Sequence, residues 1–137
     1  MRKLAIGLQV LLGLAFMGSA LPKLTGAQDA IRDHLEIAPW FWVVTALVEL
    51  VGAAGMLAGV KFPKLAAPAG LWIAGLMVGA LSAHLRVGDA VASMTPPAVY
   101  LVLALAVVVV RSRVRGSSPV LGLPALRAIL RSSQKSL

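Results

Sequence analysis

The sequence contains no cysteine, which removes disulfides, thiolate metal sites and dithiol redox chemistry together. Charge is also scarce: 13% of the 137 residues are charged and 59% are hydrophobic, a balance far from that of a soluble domain. The two histidines, His34 and His84, are far apart, and no His-x-x-His or carboxylate spacing accompanies them. That leaves no recognisable haem or zinc set, and no metal site is expected. No glycine-rich phosphate loop precedes a helix, and no nucleophile elbow occurs.

What the chain does have is four long apolar segments, near Leu4 to Leu21, Trp40 to Val60, Leu65 to Leu85 and Val91 to Val110. A bilayer core of roughly 30 Å needs about 20 helical residues, so each segment is a membrane-span candidate. Pro96 and Pro97 put the start of the last membrane part near Ala98, with tilt or a thinned bilayer making up the length. The expected fold is all-α: an integral membrane four-helix bundle over residues 1–111, followed by a basic cytoplasmic tail over 112–137. The first segment also has the basic start and small-residue end (Gly18, Ser19, Ala20) of a cleavable signal peptide. The second helix needs a partner at once, which favours keeping the first in the bundle.

Basic residues orient such a bundle, because short loops rich in Lys and Arg stay in the cytoplasm. One side receives Arg2, Lys3, Lys61, Lys64, Arg111, Arg113 and Arg115, and the tail adds Arg127, Arg131 and Lys135. The other side has only Lys23, Arg32 and Arg86, set against Asp29, Asp33, Glu36 and Asp89. The expected orientation is N-in/C-in. The net charge of +8 is mostly this asymmetry, and nucleic acid is not an expected partner.

Between the first two spans, "TGAQDAIRDHLEIAP" puts Ile31, Leu35 and Ala38 at i, i+4 and i+7. It reads as a short amphipathic surface helix ended by Pro39, with the aromatic run Trp40 to Trp42 marking the headgroup layer. "GMLAG" and "GLMVG" carry Gly55/Gly59 and Gly75/Gly79 in the spacing that lets membrane helices approach closely. The segment "RSRVRGSSPVLGLP" has linker chemistry, and "ALRAILRSSQKSL" offers basic and apolar sides to anionic lipid or stays disordered.

One charge needs an explanation. Glu49 stands in the middle of the apolar run "VVTALVELVGAAG", where an unpaired carboxylate costs several kcal/mol. Helical spacing places Thr45, Glu49, Gly52, Met56 and Gly59 on one stripe, which should face the bundle. Counting from Trp40, Glu49 lies roughly 13 to 14 Å deep. Candidate partners are Lys23, His84 and Arg86, with Gln9, Ser19 and Ser82 as neutral donors. Pro22 frees the carbonyl of Gly18, and an inward-pointing lysine reaches about 6 Å, so a Lys23–Glu49 pair is feasible. Lys23, Glu49 and His84, with Thr45 and Ser19, are expected to line a polar cavity. Arg86 and Asp89 read as solvated loop charges, and His34 as part of the surface helix. Each of Lys23, Glu49 and His84 also has a structural reading: a snorkelling boundary lysine, a carboxylate tying helices together, an interfacial imidazole.

Phe16, Gly18, Lys23 and Leu24, then Pro39 and Trp40, then Glu49, Leu50 and Gly52, then His84, make the chain resemble the DoxX-like family of small four-helix membrane proteins, over about Leu4 to Arg111. The resemblance implies a place in the bacterial cytoplasmic membrane. It also implies an accessory or anchoring role in an oxidoreductase, sulfur-oxidation or redox-defence assembly, with eukaryotic relatives acting as assembly chaperones. Related bundles that reduce quinones through thiols need a cysteine pair, which this chain lacks.

Two readings of function follow. The first is a non-catalytic accessory subunit whose partners are the lipid bilayer and either other membrane subunits or further copies of itself. The second is a binding protein for a lipophilic small molecule, or an isomerase or cyclase in which Glu49 is the catalytic acid or base and Lys23 and His84 set its protonation. Whether the chain is an enzyme stays open at this point. No cofactor is required, and a quinone or lipid is the ligand class the second reading takes. Proton-coupled transport would need an oligomer, since four helices hold no inverted repeat.

Overall fold

The computed structural model describes residues 2–116. These form five helices: α1 (Arg2–Leu24), α2 (Asp29–His34), α3 (Pro39–Lys61), α4 (Pro63–Arg86) and α5 (Val91–Gly116), with no strand among the described residues. Four of them are long and apolar enough to cross a membrane, over Lys3–Leu24, Pro39–Lys61, Pro63–Arg86 and Val91–Arg113. Helices suit that setting because every backbone hydrogen bond is made within the segment.

The helices form a ring: α1 packs along α3, α3 along α4 and α4 along α5, and α5 returns to α1 by a shorter contact. There Phe16 meets Tyr100 edge to face, with ring centroids 5.5 Å apart. Many large apolar side chains face outward, and small ones fill much of the interior around a core of Leu12, Phe16, Met56, Ile73 and Val107. Large side chains such as Leu11, Leu14, Leu47, Leu71, Val78 and Val102 are exposed, while Ala5, Ala20, Ala46, Ala53, Ala66 and Ala104 are fully buried. This is the arrangement lipid demands. Acyl chains are as apolar as leucine, so helices associate by close van der Waals approach of small residues rather than by leaving water.

Gly59 shows how close that approach is: a Cβ there would lie 2.7 Å from Gln9 Nε2 and 3.0 Å from the Ala66 Cα. Gly55 faces Ala69 in the same seam. The second glycine pair behaves differently from expectation, because Gly75 and Gly79 are exposed and a Cβ at either would meet nothing. Spacing of four puts two glycines on one helix face without saying which face, and the inward stripe of α4 is Ala66, Ala69, Gly70, Ile73 and Met77.

The connections between the helices carry further detail. The short surface helix has six residues, none of them buried; Leu35, its C-cap, is buried while Ile31 and Ala38 are exposed. It stops because Glu36 turns left-handed, with φ 53°. The Glu36 N–H then donates to Asp33 O (3.1 Å) and the Ile37 N–H to Arg32 O (3.0 Å), closing a Schellman cap. Pro39 therefore does not end α2. It opens α3, at a position where its missing N–H is an orphan anyway. The last helix, α5, begins at Val91, where the fourth segment was expected to start, with Pro96 and Pro97 inside it. The carbonyls they leave without a helical partner belong to Ala92 and Ser93, in the exposed first turn. At its other end α5 continues past Arg111 to Gly116, and the expected tail from residue 117 onward lies outside the described residues.

Candidate functional site

The site is built where α1 and α3 meet, toward the end of the bundle that carries α2. Gly13 stands against Ala53 and Leu57, and Gln9 against Met56. This antiparallel register sets Lys23 about one turn nearer the α2 end than Glu49, so its side chain must run back into the bundle to meet the carboxylate. It does: Lys23 Nζ forms an ion pair with Glu49 Oε1, with the two side chains only 11% and 7% exposed. The same ammonium lies 4.7 Å from the centroid of the Trp42 ring. Stacking on an aromatic face offsets part of the cost of holding a cation away from water.

The pair is not fully satisfied. Glu49 Oε2 and Trp42 Nε1 are both enclosed by protein and have no hydrogen-bond partner there. One is an acceptor and the other a donor, and both belong to side chains that contact Lys23. Orphaned buried polar atoms cost about 1 to 3 kcal/mol each, so a polar group that met either one would offset that cost. Thr45 does not fill it, because its hydroxyl donates to its own helix at Trp42 O (2.7 Å). Ser19 is half-buried one turn before Lys23.

His84 is not part of this group. Gly55 packs on Ala69 and Gly52 on Ile73, which sets Glu49 level with about Leu76 of α4. His84 is eight residues further along, roughly 12 Å toward the α2 end. Its Nδ1 lies 2.5 Å from Asp89 Oδ2, while the other oxygen, Oδ1, lies 2.6 Å from His34 Nε2. The cause is local. Gly88 adopts φ 73° after α4, its N–H donates to Leu85 O (3.2 Å), and the Asp89 N–H donates to His84 O (3.1 Å). This cap folds the chain back so that Asp89 meets the imidazole. Arg86 completes the cluster by donating to Leu35 O, tying the end of α2 to α4. The hydrogen bond with His84, and then that with His34, hold the Asp89 carboxyl below its ordinary 3.8.

By sequence, His34 belongs to the surface helix and Arg86 and Asp89 to a solvated loop; the structure joins all three to the end of α4. The glycine two residues after Arg86 is the signal that could have brought Asp89 back to His84. Nothing in the sequence predicts the approach of His34 from 55 residues away.

At the opposite end, Gln9 and Arg111 form a second buried polar group. Gln9 Nε2 donates to Met56 O (3.2 Å), and Arg111 donates to Gln9 Oε1 from Nε (2.7 Å) and from Nη2. Gln9 is fully buried and Arg111 is 4% exposed. Gln9, a candidate donor to Glu49 by sequence, thus serves α1, α3 and α5 instead. Arg111 is an interior residue rather than only a boundary charge. Among the described residues, no group of three or more His, Asp or Glu is placed to hold a metal ion.

No curated protein and no solved structure matches the chain. The model of the DoxX-like family matches residues 7–107, which take in Lys23, Trp42, Glu49 and His84 and reach from α1 into α5. With most of its length matched and four helices able to span a bilayer, the chain is a multi-pass membrane protein belonging to the DoxX-like family.

Proposed function

We propose that this protein binds the polar head of a lipophilic small molecule, of the quinone or isoprenoid class, at Lys23, Trp42 and Glu49. The observation that carries this reading is the pair of orphaned atoms, Glu49 Oε2 and Trp42 Nε1, on the two side chains that contact one buried ammonium. Binding needs only such an acceptor and donor in a dry place. Acid–base turnover, as in an isomerase or cyclase, would need Glu49 to exchange protons while held by Lys23, with Thr45 committed to its helix and His84 about two turns away. Ligand binding therefore suits the site better than catalysis. The setting we propose is a bacterial cytoplasmic membrane with both chain ends cytoplasmic, on the distribution of Lys and Arg between the two sides.

The test is photo-crosslinking with a diazirine-bearing isoprenoid in lipid nanodiscs, mapped by peptide mass spectrometry. Labelling should concentrate on peptides containing Trp42 and Glu49, and Lys23→Met should reduce it. Even labelling along the lipid-facing helices, unchanged in that variant, would sink the proposal.

A second reading, an accessory subunit of a membrane assembly, is favoured by the open face of Gly75 and Gly79. Gly75→Leu should then release a co-purifying membrane partner or dissociate a homo-oligomer. A wild-type chain that purifies alone as a monomer from its native membrane would end that reading.

A further inference from the structure

Hydrogen-bonding capacity narrows the ligand. A carboxylate oxygen such as Glu49 Oε2 only accepts, and an indole Nε1 such as that of Trp42 only donates. A guest that satisfies both must donate a proton to the first and accept one from the second. Among the oxygen groups common in lipophilic molecules, a carbonyl, an ether and an ester can only accept, and a hydroxyl does both. A cationic head would meet Lys23, and an anionic head would meet Glu49. The rest of such a guest has lipid beside it, since Leu21, Val43 and Leu47, next to the site on α1 and α3, are exposed.

Resting on the ligand reading above, we infer that the preferred guest is a neutral lipophilic alcohol or phenol. Its hydroxyl donates to Glu49 Oε2, an oxygen from the same head accepts from Trp42 Nε1, and the corresponding carbonyl or ether binds less well. The ion pair with Lys23 occupies Oε1 and leaves Oε2 as the oxygen a guest meets, which makes the site selective for a donor. No covalent step is involved.

The experiment compares three probes on the full chain in nanodiscs: a fifteen-carbon isoprenoid alcohol, its methyl ether and its aldehyde, by equilibrium competition. A hydrogen bond to a charged group supports a preference of about tenfold or more for the alcohol. In Trp42→Phe all three should weaken by a common factor, because each accepts from the indole. In Glu49→Gln, Lys23 holds the amide oxygen and the NH2 takes the place of Oε2. A donor then stands where an acceptor was, and the preference for the alcohol should disappear. Equal affinity of the three probes for the wild-type protein would overturn the inference while leaving the ligand reading intact. So would a preference that survives Glu49→Gln unchanged. Failure of all three to bind would overturn both.

Discussion

Replacing Lys23 by Met keeps an unbranched apolar side chain and removes the ammonium, leaving Glu49 inside the bundle without its counter-ion. Solvent does little to screen the loss, because the two side chains are 11% and 7% exposed. Breaking a buried pair by removing one member costs about 3 to 5 kcal/mol. A lone charge near the centre of an inserted helix costs roughly 2.5 to 3.5 kcal/mol. The ranges overlap near 3 kcal/mol, on the order of a hundredfold in the ratio of folded to unfolded protein. Converting both residues to Met should recover most of that loss, since an ion pair exchanged for apolar side chains of similar size is commonly neutral or stabilising. Unfolding in mixed dodecyl maltoside and SDS micelles, followed by circular dichroism for the wild type, both single variants and the double, gives the coupling energy directly. A Lys23→Met protein within about 1 kcal/mol of the wild type, or a cycle with no coupling, would refute the assignment of this pair as the interaction that makes Glu49 tolerable.

The remaining predictions concern other parts of the bundle. Gly59→Ala places a methyl 2.7 Å from Gln9 Nε2 and 3.0 Å from the Ala66 backbone, and should cost about 1 to 3 kcal/mol in the same unfolding assay. Gly75→Ala, where a methyl meets open space, should leave the monomer's stability within about 0.5 kcal/mol. Glu36→Gly should stabilise the connection between α2 and α3 by roughly 0.5 to 1 kcal/mol, because the residue has φ 53° and glycine occupies that region without strain. Asp89 has a folded pKa below its ordinary 3.8, so its contribution is present in full above 3.8 and is lost as pH falls through the lower folded value. Melting curves taken at decreasing pH should show this loss only below 3.8, and Asp89→Asn should flatten that part of the profile.

The reading of four spans from the sequence rests on a strong signal, since a run of about 20 apolar residues has few stable fates other than crossing lipid. The Lys23–Glu49 pair was also within reach. A carboxylate in such a run needs a partner, few candidates exist, and Pro22 places the lysine at the end of its helix. His84 was misplaced because its sequence distance along α4 says how far it lies from the middle but not that Gly88 returns Asp89 to meet it. The contact between Gln9 and Arg111 is not legible in the sequence, because the two are 102 residues apart and meet only when α5 closes the ring on α1. Pro39 misled because at a helix start the N–H it lacks is an orphan anyway, so it begins α3 rather than ending α2.

By itself, the sequence determined that this chain crosses a membrane as helices, that it has no thiol chemistry, and that Glu49 is a charge requiring compensation. These follow from composition and one-dimensional spacing, which set each segment's partition into lipid and the price of a charge within it. Only the tertiary structure decided that Lys23 takes one oxygen of Glu49 and leaves the other beside an unsatisfied indole, that His84 belongs to Asp89 and His34, and that one glycine pair packs inward while the other faces out. Those outcomes depend on how the helices are rotated and in what register they pack, and helical periodicity groups residues on a face without saying what that face meets.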